Sequence, residues 1–488
     1  MQLELLLSND HRVLPSVRAF SHETLRQLPL AAGDAAEFEK LMVGAVEDAV
    51  EHAYREGEGG SIKLSIADNR GRLEIVVRDF GMPQNVAEME RRLHEPDAKG
   101  GRLFGCPVTL LDEVHWRAFG PEGKALEIRK WLNDKSVAEV ASADALEPFD
   151  ENAPLAPPQQ YAVRRMLPGD ALQISQLMYR TYGGTYFNAD VYYPERVAAH
   201  NANGSVISFV ACTEDGYVAG HSALELNQPG FVAEAGQAAV DPAHRGRGLL
   251  TRLKDLSLED ARQRNLLGWY ADAVAVHTLT QKLNVDHGGH LTGVDLGISP
   301  RTERFRGFGD VQPQRVTCLL YFHWLKPPQR RKLCLPKRHH AISSTIYQRL
   351  DCPFEFAAGV PPEGHGTLTV KVDPAAGTAV VRADQLGADT VHAVRHAKRE
   401  LVERSAAAVV YVELPVDDPG TAHVMEQLEQ FGFAFTGIAP HFSTRGDLVR
   451  QVYLVEPLAR EPIKTYDDDA AQLVDYALAE QARVTAAL

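Results

Sequence analysis

The chain is short of cysteine, of net positive charge and of long apolar runs, and each shortage excludes something. Its five cysteines (Cys106, Cys212, Cys318, Cys334 and Cys352) stand far apart with no CxxC pair. That spacing is neither a disulfide framework nor a structural zinc pattern. Lys and Arg total 51 against 65 Asp and Glu, a formal charge of −14. A dedicated binder of nucleic acid or of an anionic membrane needs a basic surface to meet phosphates, so neither role is expected. No apolar run reaches the roughly 18–20 residues a membrane helix needs. The opening MQLELLLSND has no basic segment before its leucines, which argues against a signal peptide. A cytoplasmic protein of a reducing compartment is the expectation.

What is present is ordinary globular material, 44% hydrophobic and 24% charged. A length of 488 residues suggests about three domains. One boundary is compositional. Residues 133–160 hold six acids against one base, and four prolines ending in Pro157-Pro158, the makeup of an exposed acidic linker with one helical turn near Val137. A softer boundary follows the strand-like run Val316–Trp324, at the proline-broken basic loop Lys326–Lys332. The division expected is 1–132, the linker 133–160, 161–325, 326–457, and a helical tail 458–488 that opens on an Asp cluster.

In the first region a strand over Leu3–Leu7 precedes a long helix, about Ala35–Arg55, with Phe38, Leu41, Met42, Ala45 and Ala49 at helical spacing. Two alternating strands follow, then the turn Asp79-Phe-Gly81. Next comes a glycine pair, Gly100-Gly-Arg102, leading to an apolar helix near Pro107–Leu111. Glycines before a helix expose backbone N–H groups to phosphate. In this order the segment from Leu3 to Leu132 resembles the GHKL ATPase superfamily, and within it the anti-sigma-factor serine kinases. The resemblance implies a nucleotide site of Asp48, His52, Asp79, Gly81, Gly100, Gly101 and Arg102. Asp79 would read the adenine amino group, and Asp48 would hold Mg²⁺ where the family has Asn. Gly44 stands where the family has its glutamate base and cannot accept a proton, so kinase activity is not expected. Nucleotide binding without turnover and a protein-interaction fold both remain open.

The second region carries the sharpest local signal, Ala238–Leu250. An apolar strand stops at Asp241-Pro242, and Arg245-Gly-Arg-Gly248 then opens a helix. Two glycines within four residues let the main chain approach a ligand, and the helix start directs free N–H groups at a pyrophosphate. The stretch resembles motif A of the GNAT acyltransferase superfamily, and flanking elements fit in order from Tyr161 to Leu325. The resemblance implies acyl transfer from acetyl-CoA to an amine. Val240, His244, Arg245, Gly246, Arg247, Gly248 and Leu249 would hold the coenzyme, and Glu234 would act as the base. Where the family places its acidic tyrosine, four residues before Gly-Phe, this chain has Val285. The run Tyr179–Phe187 with Tyr192-Tyr193 suggests an aromatic lid over the acceptor.

After Ser343 the pattern repeats without a glycine cradle and ends in a helix, Gly432-Phe433 and closing strands. A degenerate, non-binding GNAT-like copy is expected. The whole is therefore an α/β (α+β) chain: a GHKL-type sandwich, a GNAT fold and a degenerate second GNAT-like domain. Its expected function is acetyl-CoA-dependent N-acylation of a small-molecule or protein amine under a nucleotide-binding regulatory domain, with ATP and Mg²⁺ as further ligands. The alternative is a signalling adaptor that grips a sigma-factor or antagonist-like protein; a serine/threonine kinase is third. No nucleic acid or membrane partner is expected.

Overall fold

The computed structural model of the chain describes residues 2–486, apart from 29, 31, 55–58, 69–71, 82–101, 119–122, 133–134, 151–153, 229–230, 304–310, 374–375 and 404–406. In the first region, β1 (Gln2–Ser8), β2 (Ser61–Asp68), β3 (Arg72–Asp79), β4 (Glu113–Ala118) and β5 (Lys124–Trp131) pair antiparallel in the order β1-β2-β3-β5-β4. Strand β3 buries every second residue, as a sheet covered on one face requires. The cover is α1 (Leu14–Leu25) and α2 (Ala32–His52). Phe38, Leu41, Met42, Ala45 and Val46 of α2 form one buried stripe against Leu64, Ile66, Ile75 and Val77 of the sheet.

Residues 133–160 are not simply a solvated tether. The short helix α3 (Val137–Val140) is closed by a Ser136–Glu139 capping box. Val137 and Phe149 are buried with Ile174 and Met178 of the next region. The prolines and acids set the linker's exposed composition, but these two apolar side chains anchor it.

The second region runs β6 (Ala162–Arg165), α4 (Ala171–Tyr182), α5 (Pro194–Asn203), β7 (Val206–Cys212), β8 (Val218–Glu225), β9 (Val232–Val240), α6 (Leu249–Gln263), β10 (Gly268–Val274), α7 (Leu279–Asp286), β11 (His290–Ser299) and β12 (Val316–Trp324). Its strands pair in the order β6-β7-β8-β9-β10-β12-β11, and only β9 and β10 are parallel. The third region runs α8 (His340–Arg349), β13 (Thr367–Asp373), β14 (Thr378–Gln385), α9 (Thr390–Glu403), β15 (Val409–Pro415), α10 (Thr421–Glu429), β16 (Ala434–Ser443), β17 (Gly446–Leu454) and α11 (Asp468–Thr485). Its order is β13-β14-β15-β17-β16, again with one parallel pair, β14 with β15.

The three sheets join edge to edge into a single 17-stranded sheet. Strand β16 meets β11 at Gly437 opposite Gly293, and β13 meets β4 from Thr369–Arg117 to Lys371–His115. One apolar core crosses from the second region to the third, from Tyr270 and Leu320 to Phe433 and Phe435. Leu473, Val474 and Ala477 of α11 lie in the same core, so the C-terminal helix is a structural wall rather than a loose tail. No helix among the described residues is long and apolar enough to cross a membrane.

The β11–β16 seam depends on absent side chains. Gly437 has φ +141°, and a Cβ there would overlap the Gly293 backbone. Gly437→Val is expected to destabilise this joint core by about 2–4 kcal/mol, seen calorimetrically as a lower melting temperature for the second and third regions.

Candidate functional site

The parallel pair β9–β10 is joined only at its start. Val232, Ala233 and Glu234 pair with Gly268, Trp269 and Tyr270, and the strands then part. On its other side β9 stays bonded to β8 through a bulge, with Gln237 at φ +49°. A bulge bends one strand away from its neighbour. The result is a wedge that opens toward the C-terminal ends of β9 and β10.

At the mouth of the wedge the chain makes a 3₁₀ turn, Pro242–His244, and enters α6 through Gly246 (φ +74°) and Gly248 (φ +68°). Both glycines sit in left-handed backbone, and a Cβ at either would meet open space. The glycines are therefore required by conformation, and they leave the backbone in front of the α6 N-terminus uncovered by side chains. The other cradle residues divide. His244 is buried, sharing a 2.8 Å hydrogen bond between Nδ1 and the Tyr161 hydroxyl, so it supports the loop from behind. Leu249 anchors α6 in the core. Arg247 donates to the Ala156 carbonyl, and Ala156 N–H donates to Ala243 O at 2.8 Å, so the linker lies against the loop. Arg245 acts electrostatically on Tyr182, whose hydroxyl donates to Ala238 O of β9 at 3.1 Å. Val240 ends β9, pairing with Gly220.

Glu234 lies where the strands part. Tyr270 donates to its Oε2 at 3.3 Å, and burial pushes its carboxyl well above the usual range, with the charges of Glu225 and Asp272 adding to the effect. Glu225 is buried beside it and raised for the same reason, burial. Asp272 of β10, surrounded by protein yet open to solvent, is pushed up to about 7 by desolvation and then by Asp295. The aromatic run of α4 and its loop packs as a cluster: Tyr182 and Tyr186 are 4.7 Å apart, and Tyr192 Oη accepts from Tyr186 N–H at 2.8 Å. After Val285, Asp286 accepts from Lys282 at 2.5 Å, and His287 is hydrogen-bonded to Leu283 O and Asp255. Glu225, Asp272 and Glu303 carry no local motif and were missed in the sequence.

The third region closes the equivalent wedge. Strands β14 and β15 stay paired from Thr378–Val409 to Arg382–Glu413, and an Arg382–Glu413 ion pair of 2.6 Å stands at the end of that paired stretch.

The first region differs from expectation at three places. No α-helix follows the glycine pair: Arg102–Leu103 and Cys106–Pro107 form a small hairpin, and only a 3₁₀ turn covers Val108–Leu110. Phe104 (φ +46°) and Gly105 (φ +84°) lie in left-handed backbone and turn the chain back on itself as this hairpin. Arg102 pairs with Glu37 at 2.8 Å, about three turns before Asp48 on α2, and so is not gathered with it. Asp79 is buried in an ion pair of 2.8 Å with Lys124, which the sequence did not mark. Its carboxylate also accepts from Gly81 N–H at 3.2 Å. Gly81 packs where a Cβ would overlap the Ala53 carbonyl. Asp48 lies within electrostatic reach of Asp79, and His52 stands 4.0 Å from Asp48 and 3.4 Å from Glu51. At Gly44 a Cβ would come within 2.8 Å of Phe104 Cβ, so the place of the missing glutamate is filled. Gly100 and Gly101 lie outside the described residues.

Comparison with known proteins matches both regions. Residues 7–130 fit the histidine kinase-like ATPase domain, and residues 172–282 fit the acetyltransferase (GNAT) family. The serine-protein kinase RsbW of Bacillus subtilis is 30% identical over 112 residues, 21% of this chain and 69% of that protein. The chain belongs to the RsbW-type GHKL family in its first domain and to the GNAT family in its second. The RsbW of Listeria monocytogenes is 25% identical over 138 residues, 27% of this chain and 80% of that one. Among solved structures, an N-acetyltransferase from Staphylococcus aureus Mu50 aligns with 34% of this GHKL–GNAT chain and 100% of its own, at TM-score 0.29 and 16% identity. The acetyltransferase yncA from Salmonella typhimurium, described with its cofactor acetyl-CoA, aligns with 34% of this chain and 94% of its own at TM-score 0.28 and 18% identity.

The buried Lys124–Asp79 pair of the GHKL domain is testable. Lys124→Met strands a buried carboxylate whose pKa burial already raises. A raised folded pKa means stability is kept below the unfolded value and lost as pH rises. The variant is expected to lose about 3 kcal/mol at pH 8 and less at pH 5, measured by urea unfolding at both.

Proposed function

We propose that the GHKL–GNAT protein is an acetyl-CoA-dependent N-acyltransferase whose amine acceptor meets Glu234 at the point where β9 and β10 part. The observation that carries this is the wedge itself: a parallel pair bonded for three residues, then opening onto a loop whose two left-handed glycines place no side chain before the α6 N-terminus. The Gly246–Leu249 main chain would hold the coenzyme pyrophosphate, with Arg245 supplying charge. Acetyl-CoA, when bound, would supply its acyl group as a thioester: the C–S bond breaks as the N–C bond to the amine forms, and the coenzyme leaves as a thiolate that takes up the second proton lost by the nitrogen. Glu234 takes the proton that the acceptor ammonium must lose, directly or through water. Its raised affinity for protons suits that task, since a base near the working pH is most effective. Tyr270 orients the carboxylate, and the aromatic cluster around Tyr186 limits water.

The GHKL domain supports a second element of the proposal: a docking or regulatory module rather than a kinase. Gly44 offers no base, Phe104 occupies its place, and Lys124 engages the carboxylate that would read adenine. Labelled phosphate from ATP is expected to reach no serine substrate; transfer above background would overturn this part.

Two measurements test the acyltransferase. Charge reversal at both Arg245 and Arg247 is expected to weaken acetyl-CoA binding by about 100-fold in calorimetry; unchanged affinity would move the coenzyme site elsewhere. Glu234→Gln is expected to lower kcat about 100-fold at unchanged coenzyme affinity. Because Glu234 must be ionised to act and its folded pKa is raised, wild-type kcat/KM should rise with pH through a limb above the ordinary carboxylate range. The variant should lack that limb.

A further inference from the structure

The surroundings of Glu234 hold more carboxyl groups than one proton transfer needs. Glu225 and Glu234 converge on Gly236, with Oε1 of each within 3.5 and 3.2 Å of where a Cβ would stand. Oε2 of Glu225 accepts from Asn188 at 3.1 Å and Asn227 at 3.4 Å, while its buried Oε1 has no hydrogen-bond partner. Glu303, also buried, leaves Oε2 without one and lies within electrostatic reach of Tyr182 and Tyr186, as Glu225 and Glu234 do of Tyr186. Asp272 sits one step beyond Tyr270 on the same face of β10.

Among the described residues none of these four carboxylates has an ion-pair partner, in contrast to the acids next to them. Asp295 and Glu413 are paired by Arg450 at 2.8 Å each, and Glu413 also by Arg382. Lys254, the nearest cation to Glu234, is turned to Asn284 Oδ1 at 3.2 Å and over the Trp269 ring. Buried carboxylates with free oxygens cost stability unless a cation meets them. Aromatic rings stand near them: Tyr182 and Tyr186 from the second region, and Tyr270 tilted against Phe442 of the third with ring centres 4.5 Å apart. Aromatic faces favour alkylammonium groups.

We propose that this cleft is built for a small polycationic amine, an alkyl chain bearing two or more ammonium groups. Its reacting nitrogen lies at Glu234, and its remaining charges are held by Glu225, Asp272 and Glu303. The proposal rests on the acyltransferase reading for what happens to the bound amine, but the cation site stands on its own geometry. The third region then has a role without a cradle of its own, since Phe442 closes the acceptor end of the cleft.

The test is calorimetry on the full chain with spermidine, n-butylamine and a lysine-containing pentapeptide, and separately with acetyl-CoA. Spermidine is expected to bind at least about tenfold tighter than either other amine. Glu225→Gln and Glu303→Gln should each weaken it about tenfold and leave acetyl-CoA affinity unchanged. If Glu225→Gln does not fold, Glu303→Gln carries the comparison. Equal affinity for the three amines, preference for the peptide, or unchanged spermidine affinity in folded variants would overturn the proposal. Spermidine binding without acetyl-CoA binding would uphold the cation site and sink the acyltransferase reading; the reverse would do the opposite.

Discussion

Everything in the second region depends on a pairing that stops. A parallel β pair normally continues as far as its strands run, because every broken ladder bond must find another partner. Here β9 and β10 separate after Glu234 and Tyr270. The bulge at Gln237 keeps β9 bonded to β8, and β12 holds β10 from its other side. The backbone left unpaired inside the wedge is available to a ligand, and the glycine loop at its mouth is shaped by positive φ angles. The third region shows the opposite outcome from the same order of elements: β14 and β15 stay paired for five residues and meet at a salt bridge. One fold pattern thus yields an open slot and a shut one.

Buried charge divides along the same line. Where the third region meets the second, acids are matched: Arg450 and Arg382 hold Asp295 and Glu413, and those two arginines hold Glu413 well below the usual carboxylate range despite its burial. Toward the wedge, Glu225, Glu234 and Asp272 form no ion pair among the described residues, and all three are shifted upward, first by desolvation. Matched acids stabilise a joint; unmatched acids are a functional feature that the surrounding core must support.

The first domain is held by different physics. In it, the two positions that the family resemblance assigns to adenine reading and to the base are both occupied by packing: Asp79 is paired with Lys124, and Phe104 fills the space beside Gly44. The edge pairing of β4 with β13 ties this domain to the third region, and on its other side Arg196 of the second region pairs with Asp112 at 3.7 Å and lies over the Trp131 ring.

The amino-acid sequence alone determined the local features. The 3.6-residue stripe of α2, the alternation of β3, the Asp79-Phe-Gly81 turn and the Arg245-Gly-Arg-Gly248 run are all set by residues within a few positions of one another, so they were legible. So was the family of each of the first two domains. The helix expected near Pro107–Leu111 was misread because the left-handed angles of Phe104 and Gly105 turn the chain into a hairpin there, which residue spacing does not reveal. The linker was misread because two apolar residues, Val137 and Phe149, outweigh its acidic composition once a neighbour offers a core. Only the tertiary structure could bring Lys124 to Asp79, join the third region's Phe442 to Tyr270, and set Glu225 beside Glu234 at Gly236. Charges that repel must be held together by packing from distant parts of the chain, and that packing is not encoded at any single position.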